Sequence, residues 1–323
     1  LEQAVERITG EEGTPVSLGL RGAGSDKVRE VKLVRASIRI DSIKGWQRKA
    51  AGGWDYRIDP ELQIGYIRLT TFGPNTATDL DRAVEQMVEQ GGLRGLVLDL
   101  RFNPGGRLDS AIDVSNRFLE EGTIVSTTQK TFLGRPWRAA ADRHHTYASF
   151  PVVVLVNKGS ASASEIVSGA LQAHKRALVI GERSFGKGSV QNLFPIGGNA
   201  AYLKLTTQYY RLPDNRIIHR RPDAKDWGIS PDVAVAVTDA QVAAAIEARM
   251  ILDVLPGAGE KAFNPALVIS KPDPKDEDAD RQELKRKAQA VRKADDLLTQ
   301  GLDPQLNTAL LLLQARVIGQ RQG

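Results

Sequence analysis

The sequence predicts an α/β fold built on a mixed sheet whose central strands are parallel. Two stretches, residues 93–100 and 151–156, are almost continuously apolar, as expected of strands that are buried on both faces. Segments with helical apolar spacing lie between such stretches, and this alternation favours parallel pairing with right-handed connections. A later region, residues 189–212, alternates around a glycine turn and predicts an antiparallel hairpin.

The first 37 residues predict a short helix followed by a two-stranded hairpin. Apolar residues one turn apart indicate the helix at residues 1–8, and strand patterns at residues 16–20 and 28–34 flank a glycine-rich turn. One helix and two strands bury little core by themselves. The apolar faces of these strands are therefore expected to be incompletely buried, as in the last part of a domain.

Residues 38–260 predict the main domain. In chain order the pattern predicts strand 64–69, helix 76–89, strand 93–100, helix 108–119, strand 151–156, helix 163–173, strand 177–180 and the hairpin strands 189–196 and 201–212. The last region, residues 261–323, combines a linker rich in proline and acidic residues with helices rich in Ala, Leu, Lys and Gln. Two interpretations of this tail stay open, an appended docking or oligomerisation segment and a helix that caps the core.

The composition narrows the range of functions. The 323 residues are 41% hydrophobic and 26% charged, which allows a packed core. The net charge is +5, and the densest basic stretch, residues 281–293, alternates with acids, so nucleic-acid binding is not expected. Cysteine is absent, which excludes thiol catalysis, Cys-ligated metals and disulfides. No apolar stretch approaches the roughly 20 residues that span a bilayer, so an integral membrane protein is not expected.

Residues 156–191 carry the most chemical information. A buried strand leads through small residues into a helix that begins near residue 163. Such a turn exposes a side chain at the helix start and directs unpaired N–H groups to the same place. This arrangement suits a nucleophile whose substrate develops an oxyanion. Three serines, Ser160, Ser162 and Ser164, share the turn; serines at such positions are more often helix caps, and composition does not choose among them.

A serine nucleophile needs a neighbouring base, and the histidines are poorly placed for that role. His174 lies twelve residues beyond Ser162 on the same helix, roughly 18 Å along its axis. His144 and His145 precede the strand whose far end carries the serine, so they are expected at the wrong edge of the sheet. His219 lies in an arginine-rich polar turn and stays open as an alternative.

Lys187 is the other candidate base. A free lysine is protonated at neutral pH and accepts a proton only where burial lowers its pKa. Gly186 and Gly188 allow close backbone approach, and Phe185 is expected to help exclude water. If a strand begins here, alternation places Lys187 and Gln191 on one face, where Gln191 could hold the amine. The alternative is an ordinary solvated loop lysine.

The same segment partly matches a phosphate-binding loop. Gly181 is followed at the required spacing by Gly186 and Lys187. Gly188 then replaces the Ser or Thr that holds magnesium, and a strand pattern follows where that loop requires a helix. Both departures remove the physical basis of nucleotide binding, so this interpretation is rejected.

Two segments together resemble the signature of the carboxy-terminal processing (tail-specific) serine proteases, a family with a PDZ domain. Residues 157–165 read Asn-Lys-Gly-Ser-Ala-Ser-Ala-Ser-Glu, and residues 185–191 read Phe-Gly-Lys-Gly-Ser-Val-Gln. Lys187 follows Ser162 by 25 positions and precedes Gln191 by 4, spacings that fit the family. Residues 98–106, Leu-Asp-Leu-Arg-Phe-Asn-Pro-Gly-Gly, look like its arginine–asparagine–glycine loop.

The resemblance implies a role for each of six residues. They are the nucleophile Ser162, the general base Lys187, the lysine-supporting Gln191, and the oxyanion-hole N–H groups of Ala163 and of Gly105 or Gly106. No metal or other cofactor is implied. Two positions depart from the family pattern, since Ala173 stands where relatives often carry aspartate and Phe102 replaces a common asparagine. The first puts in doubt any accessory role for that aspartate, and neither touches the Ser–Lys dyad.

The resemblance also implies a domain plan and a biological setting. Residues 1–37 are expected to be the C-terminal part of a PDZ domain, residues 38–260 a serine protease core of crotonase/Clp-like mixed-sheet type, and residues 261–323 a helical docking or oligomerisation segment. The expected substrates are proteins and peptides with exposed nonpolar C-termini. An exported location in the bacterial periplasm or envelope, with a signal peptide outside this chain, a homo-oligomer and an activating adaptor are further expectations. The competing hypotheses are a non-catalytic peptide-binding scaffold and a crotonase-like acyl-CoA enzyme.

Overall fold

A computed structural model describes most of the chain as two compact units, Leu1–Asp41 and Ser42–Gly323. The described residues are 2–22, 26–36, 41–127, 137–142, 147, 150–198, 201–222, 224–253 and 279–320. The elements, in chain order, are α1 (Glu2–Ile8), β1 (Pro15–Arg21), β2 (Val28–Val34), β3 (Ile43–Lys44), β4 (Gln47–Arg48), β5 (Trp54–Asp55), β6 (Arg57–Asp59), β7 (Ile64–Leu69), α2 (Thr76–Glu89), β8 (Gly95–Asp99), α3 (Leu108–Asn116), β9 (Thr123–Thr127), β10 (Trp137–Ala140), β11 (Val152–Val156), α4 (Ala163–Ala173), β12 (Ala177–Gly181), β13 (Ser189–Ile196), β14 (Ala201–Arg211), β15 (Val233–Ala234), α5 (Asp239–Asp253), α6 (Ala279–Ala290), α7 (Asp296–Thr299) and α8 (Pro304–Gly319).

The first unit consists of α1 and the antiparallel hairpin of β1 and β2. Arg35 links its parts, because Nε donates to the carbonyl oxygen of Ile8 (2.9 Å) and Nη1 donates to Oγ1 of Thr14 (2.9 Å). No residue of either hairpin strand is fully buried, and Val28 is 65% exposed. The predicted helix, hairpin and incomplete burial are confirmed.

The central sheet of the second unit runs in the order β15-β12-β11-β8-β7-β3, with β6 also paired to β7. The neighbours from β15 to β7 are parallel, whereas β3 and β6 are antiparallel to β7. The carboxyl ends of the parallel strands therefore lie at one edge of the sheet. This arrangement confirms the mixed sheet with a parallel centre.

The two faces of this sheet bury separate sets of side chains, as strand alternation requires. In β8, Leu96 and Leu98 belong to one apolar cluster and Val97 belongs to the other. Residues of α2, α3 and α4 join the first cluster, and residues of α5 to α8 join the second. Helices thus cover both faces, which explains why the central strands are apolar without alternation.

The C-terminal helix α8 contributes directly to the second cluster. Asp303 caps its first turn by accepting a hydrogen bond from the N–H of Leu306 (3.0 Å), and Pro304 occupies the first helical position. The buried face consists of Gln305, Leu306, Ala309, Leu310, Leu313 and Val317. This face of α8 therefore covers the core, as one of the two interpretations of the tail predicted. A docking role for the tail stays a prediction.

A second, antiparallel sheet has the order β10-β9-β14-β13, with β13 at its edge. It contains the predicted hairpin, whose register shifts between Val190 and Gln191. Strands β3 to β6, β9, β10 and β15 were not predicted, because they are two to five residues long and carry little alternation. Within the described ranges, no helix combines the length and the apolar character that crossing a bilayer requires.

Candidate active site

Ser162 occupies the sharp turn between β11 and α4, immediately before the first helical residue. Its backbone has φ 57° and ψ −113°, a left-handed conformation that costs free energy in any residue other than glycine. The hydroxyl of Ser160 donates to the carbonyl oxygen of Leu100 (2.9 Å), and that of Ser164 donates to the carbonyl oxygen of Asn103 (2.9 Å). Ser160 and Ser164 are fully buried, whereas Ser162 is partly exposed. Of the three candidate serines, Ser162 is the one that is partly accessible from solvent.

Glu165 joins the Ser162 turn to the loop that carries Lys187. Its Oε2 accepts hydrogen bonds from the N–H groups of Ser162 (2.8 Å) and Lys187 (2.8 Å). Its Oε1 accepts from the Ser184 hydroxyl (2.5 Å) and from the N–H of Gly186 (2.6 Å). The side chain is fully buried, and this burial raises the pKa of Glu165 although all four donors act in the opposite direction. A single carboxylate therefore fixes two segments about twenty positions apart.

The role of Glu165 was missed in the sequence, although its spacing offered a signal. Ser162 and Glu165 are three residues apart at a helix start, the spacing of a capping box in which the glutamate returns to the N-cap N–H. That pattern predicts the bond to Ser162. The three bonds to residues 184–187 depend on tertiary structure, and no local pattern indicates them.

Lys187 lies in the loop before β13, which begins at Ser189, so it is not a strand residue. Its side chain is exposed, and Phe185, which was expected to exclude water, is 55% exposed. Within the described part of the chain, no hydrogen bond joins Lys187 to the Ser162 hydroxyl. The expected burial of the lysine is therefore absent. Gly186 beside it is buried, and a Cβ there would lie 2.9 Å from Cβ of Arg220 and 3.0 Å from Trp227.

Gln191 is the third residue of β13, is exposed, and pairs with Thr206 of β14. The strand alternation that was expected to align it with Lys187 does not extend to Lys187, because the strand begins two residues later. The support of the lysine by Gln191 therefore stays a prediction.

The loop from Arg101 to Gly106 lies against the Ser162 turn. The Asn103 carbonyl oxygen accepts the N–H of Ala161 (3.0 Å), and a Cβ at Gly105 would lie 2.8 Å from Cβ of Ser162. The N–H of Gly105 donates to Oδ1 of Asn103 (2.9 Å) and is therefore engaged. Among the described residues, the Gly106 N–H forms no hydrogen bond. This leaves it available to a ligand.

Two of the histidines lie in described parts of the structure. His174 ends α4 and its Nε2 bonds to the carbonyl oxygen of Thr123 (2.7 Å), away from Ser162. His219 runs beside the lysine loop, since a Cβ at Gly188 would lie 2.7 Å from its backbone nitrogen. Burial, together with Arg221, lowers the pKa of His219, and its buried Nδ1 has no hydrogen-bond partner within the described ranges. A catalytic imidazole is normally oriented by a carboxylate at that nitrogen, so His219 lacks the third member of a triad. His144 and His145 lie outside the described residues.

Comparison with known proteins shows that the segments around Arg101, Ser162 and Lys187 belong to a region that matches a protein family. The model of peptidase family S41 matches residues 63–235, which include the Arg101–Gly106 loop, the Ser162 turn and the Lys187 loop. The carboxy-terminal-processing protease of Bartonella bacilliformis is 42% identical over 238 residues, covering 73% of this chain and 50% of that protein. The carboxyl-terminal-processing protease of Synechocystis sp. is 38% identical over 267 residues, covering 80% of this chain and 57% of that protein.

Among solved structures, that of the photosystem II D1 C-terminal processing protease aligns with 32% sequence identity and a TM-score of 0.49. The alignment covers 70% of this chain and 56% of that one. The chain thus spans about half of the length of the curated relatives that it matches.

Proposed function

Because the chain belongs to peptidase family S41, we propose that it is a serine endopeptidase that cleaves proteins at or near nonpolar C-termini. One observation carries the proposal: Glu165 holds the backbone of Ser162 and that of Lys187 on the two oxygens of one carboxylate. The backbones of Ser162 and Lys187, whose side chains suit a nucleophile and a base, are therefore adjacent in the fold. A partly exposed serine on a strained turn and a lysine beside it are the parts that a Ser–Lys dyad needs.

In the proposed mechanism, the neutral amine of Lys187 accepts the hydroxyl proton of Ser162 while Oγ attacks the scissile carbonyl carbon. The tetrahedral intermediate collapses when the Lys187 ammonium returns this proton to the leaving amine, and an acyl ester remains on Ser162. A water molecule then gives a proton to the same amine and attacks the ester carbon. The bond from this carbon to Oγ breaks as the Lys187 ammonium returns the proton to Oγ, and the product leaves as a carboxylic acid that ionises in solution. Such proton transfer contributes roughly 10²–10⁴-fold to a rate.

Because the side chain of Lys187 is exposed in the free chain, the proposed mechanism requires the bound substrate to exclude water from its amine. General-base catalysis by a lysine amine is favoured where water is excluded from its surroundings. The substrate covers the exposed side chains of Lys187 and Phe185 when it occupies the site, and so supplies the apolar surroundings that the free chain lacks. Gln191, on the adjoining strand, then becomes the polar group that holds the amine.

The proposed oxyanion hole consists of the N–H groups of Ala163 and Gly106. Ala163 is the first residue of α4, and its N–H has no acceptor within the helix. The Gly106 N–H is available, whereas that of Gly105 is bonded to Asn103. Each such donor contributes about 3 kcal/mol of transition-state stabilisation.

Replacing Gly106 by alanine is expected to lower kcat by about 10²-fold or more, because the loop must move. Gly106 has φ 151°, and a Cβ there would lie 2.2 Å from the carbonyl oxygen of Phe72. Gly52→Ala is the matched control, since Gly52 also has a positive φ of 90° but has nothing within 4 Å. Steady-state kinetics on a fluorogenic peptide measures both. Equal kcat values for the two variants would contradict the assignment of Gly106.

The family likeness supports a wider proposal about the rest of the chain. Residues 1–37 are assigned to the C-terminal part of a PDZ domain, the module that captures substrate tails, and residues 38–260 to a crotonase/Clp-like protease core. Residues 261–323 are assigned to docking or oligomer contacts. An exported protein of the bacterial periplasm or envelope, with a homo-oligomeric form and an activating adaptor, completes this proposal.

The cleavage specificity is tested by product mapping. A model protein is prepared with a nonpolar C-terminal tail and, separately, with a tail of the same length that ends in charged residues. We expect mass spectrometry to find wild-type products cut near the nonpolar tail, slower cleavage of the charged tail, and no product from Ser162→Ala. Products scattered along the sequence without regard to the tail would contradict the C-terminal preference, and binding of acyl-CoA without proteolysis would contradict the peptidase itself.

A further inference from the structure

The C-terminal helix is directly bonded to the loop that holds Gly106. Arg101 donates from Nη1 to Oδ1 of Asp303 (2.7 Å) and from Nη2 to Oδ2 of Asp303 (2.8 Å), a bidentate ion pair across 202 residues of sequence. The side chains are 10% and 3% exposed. Breaking a pair this deeply buried leaves an uncompensated charge, so its effects exceed those of a surface salt bridge.

Arg101 is also held from the other side. Its Nε and Nη2 donate to the two oxygens of Asp99 at the end of β8 (3.0 and 2.7 Å), and Nη1 donates to Oε1 of Gln305 (3.2 Å). Gln305 in turn donates to the carbonyl oxygen of Val235 (3.0 Å). The guanidinium therefore lies between a strand end of the central sheet and the first turn of α8, with every nitrogen bonded.

The backbone that follows Arg101 is strained and depends on such anchoring. Phe102 has φ 61°, and residues in this region persist only where their surroundings impose the conformation. Phe102 N–H donates to Oδ1 of Asn157 (2.9 Å), and the Asn103 carbonyl oxygen accepts the Ser164 hydroxyl (2.9 Å) and the Ala161 N–H. The loop thus leaves Arg101 and passes within bonding distance of the Ser162 turn before it reaches Gly106.

We propose that Asp303 is a positioning residue of the active site: through Arg101 it holds the Arg101–Gly106 loop, and with it the Gly106 N–H, against the Ser162 turn. The proposal rests on the proposed function. It makes α8 part of the catalytic unit as well as a cover for the core. Asp303 then has two separable tasks, since Oδ1 also caps α8 by accepting the Leu306 N–H.

The variant Asp303→Asn separates these tasks. Asparagine caps helices as well as aspartate does, so α8 should stay folded. It cannot present two anionic oxygens to Arg101, so the bidentate pair is lost. We expect kcat on a peptide substrate to fall about tenfold to a hundredfold, as for a displaced catalytic group. KM should stay within about threefold, because the substrate-binding surface is unchanged.

Two further variants test whether the effect on kcat is specific to the pair of Asp303 and Arg101. Asp296→Asn makes the same chemical change in the same region, where the carboxylate accepts the N–H groups of Arg292 and Lys293 and is remote in its contacts from Arg101. It should leave kcat unchanged. In an Arg101→Gln background, Asp303→Asn should have little additional effect, because Asp303 acts through Arg101. Full additivity of the two changes in kcat would overturn the proposal.

Hydrogen exchange tests the positioning role of Asp303 without any measurement of catalysis, so its result does not depend on whether the proposed function is correct. Hydrogen exchange of residues 100–107, followed by mass spectrometry, should be faster in Asp303→Asn than in wild type, while exchange in β11 and α4 is unchanged. If the chain cleaves no substrate, this measurement still decides the positioning role. Unchanged exchange in the loop, or a lowered melting temperature with normal kcat, would identify Asp303 as a helix cap alone.

Discussion

Removal of either member of the proposed Ser162–Lys187 dyad is expected to abolish the proposed proteolysis. Ser162→Ala removes the attacking oxygen, and Lys187→Ala removes the proton acceptor, so each should lower kcat between about 10⁴- and 10⁶-fold, as in other serine peptidases whose nucleophile and base act as a unit. Lys187→Arg should be equally inactive, because a guanidinium stays protonated and cannot accept the proton. Peptide cleavage with mass-spectrometric detection measures the loss, and circular dichroism checks the fold.

The controls for this prediction lie in the same region. Lys158→Ala removes another lysine near the Ser162 turn, one that is 76% exposed and paired with Glu182, and should leave the rate unchanged. His219→Gln tests the remaining histidine and should retain most of the activity. Loss of cleavage in His219→Gln together with full cleavage in Lys187→Ala would replace the dyad with a histidine mechanism.

Glu165→Gln is expected to lower both stability and activity by large amounts. Both oxygens of the Glu165 carboxylate accept hydrogen bonds from backbone N–H groups. The glutamine side chain has only one acceptor oxygen, and its NH₂ group would face N–H donors that it cannot bond. Leaving such buried donors without an acceptor costs about 1–3 kcal/mol each. We therefore expect an unfolding free energy lower by about 2–4 kcal/mol. We also expect kcat to fall by about 10²-fold, since Ser162 and Lys187 lose their common support.

Urea unfolding and peptide kinetics, both at a temperature where the variant is folded, separate these two effects. Glu182→Gln is the matched control, because Glu182 lies in the same stretch but pairs with the exposed Lys158. It should change neither quantity by a measurable amount. A folded Glu165→Gln variant with wild-type kcat would show that the carboxylate supports the fold without aligning the dyad.

The main elements of the fold could be predicted because they depend on local pattern. Helix 163–173 and strand 64–69 were predicted with their observed limits, since apolar periodicity marks them and small residues or turns bound them. The parallel pairing of the central strands followed from strand–helix alternation. The turn indicated three candidate serines, and the family resemblance named Ser162 among them. The structure adds that Ser160 and Ser164 have buried, bonded hydroxyls.

The remaining features of the site depend on contacts between distant segments. The surroundings of Lys187 could not be predicted, because they depend on how residues 218–220 pack on the flanking glycines. The bonds of Glu165 to the lysine loop and the ion pair of Arg101 with Asp303 join segments that no periodicity relates. Gly105 and Gly106 were equivalent in the sequence, and only the bond from Gly105 to Asn103 distinguishes them.

At position 162 the residue that the proposed reaction needs is less favourable for thermal stability than glycine, because the backbone is left-handed there. A residue with a side chain at φ 57° costs of order 1–3 kcal/mol, which glycine does not incur. A selection for heat resistance alone would therefore favour glycine at position 162 and discard the nucleophile. Engineering a more durable form of this chain requires that every round of selection also score cleavage, and that stabilising substitutions be sought in elements remote from this turn.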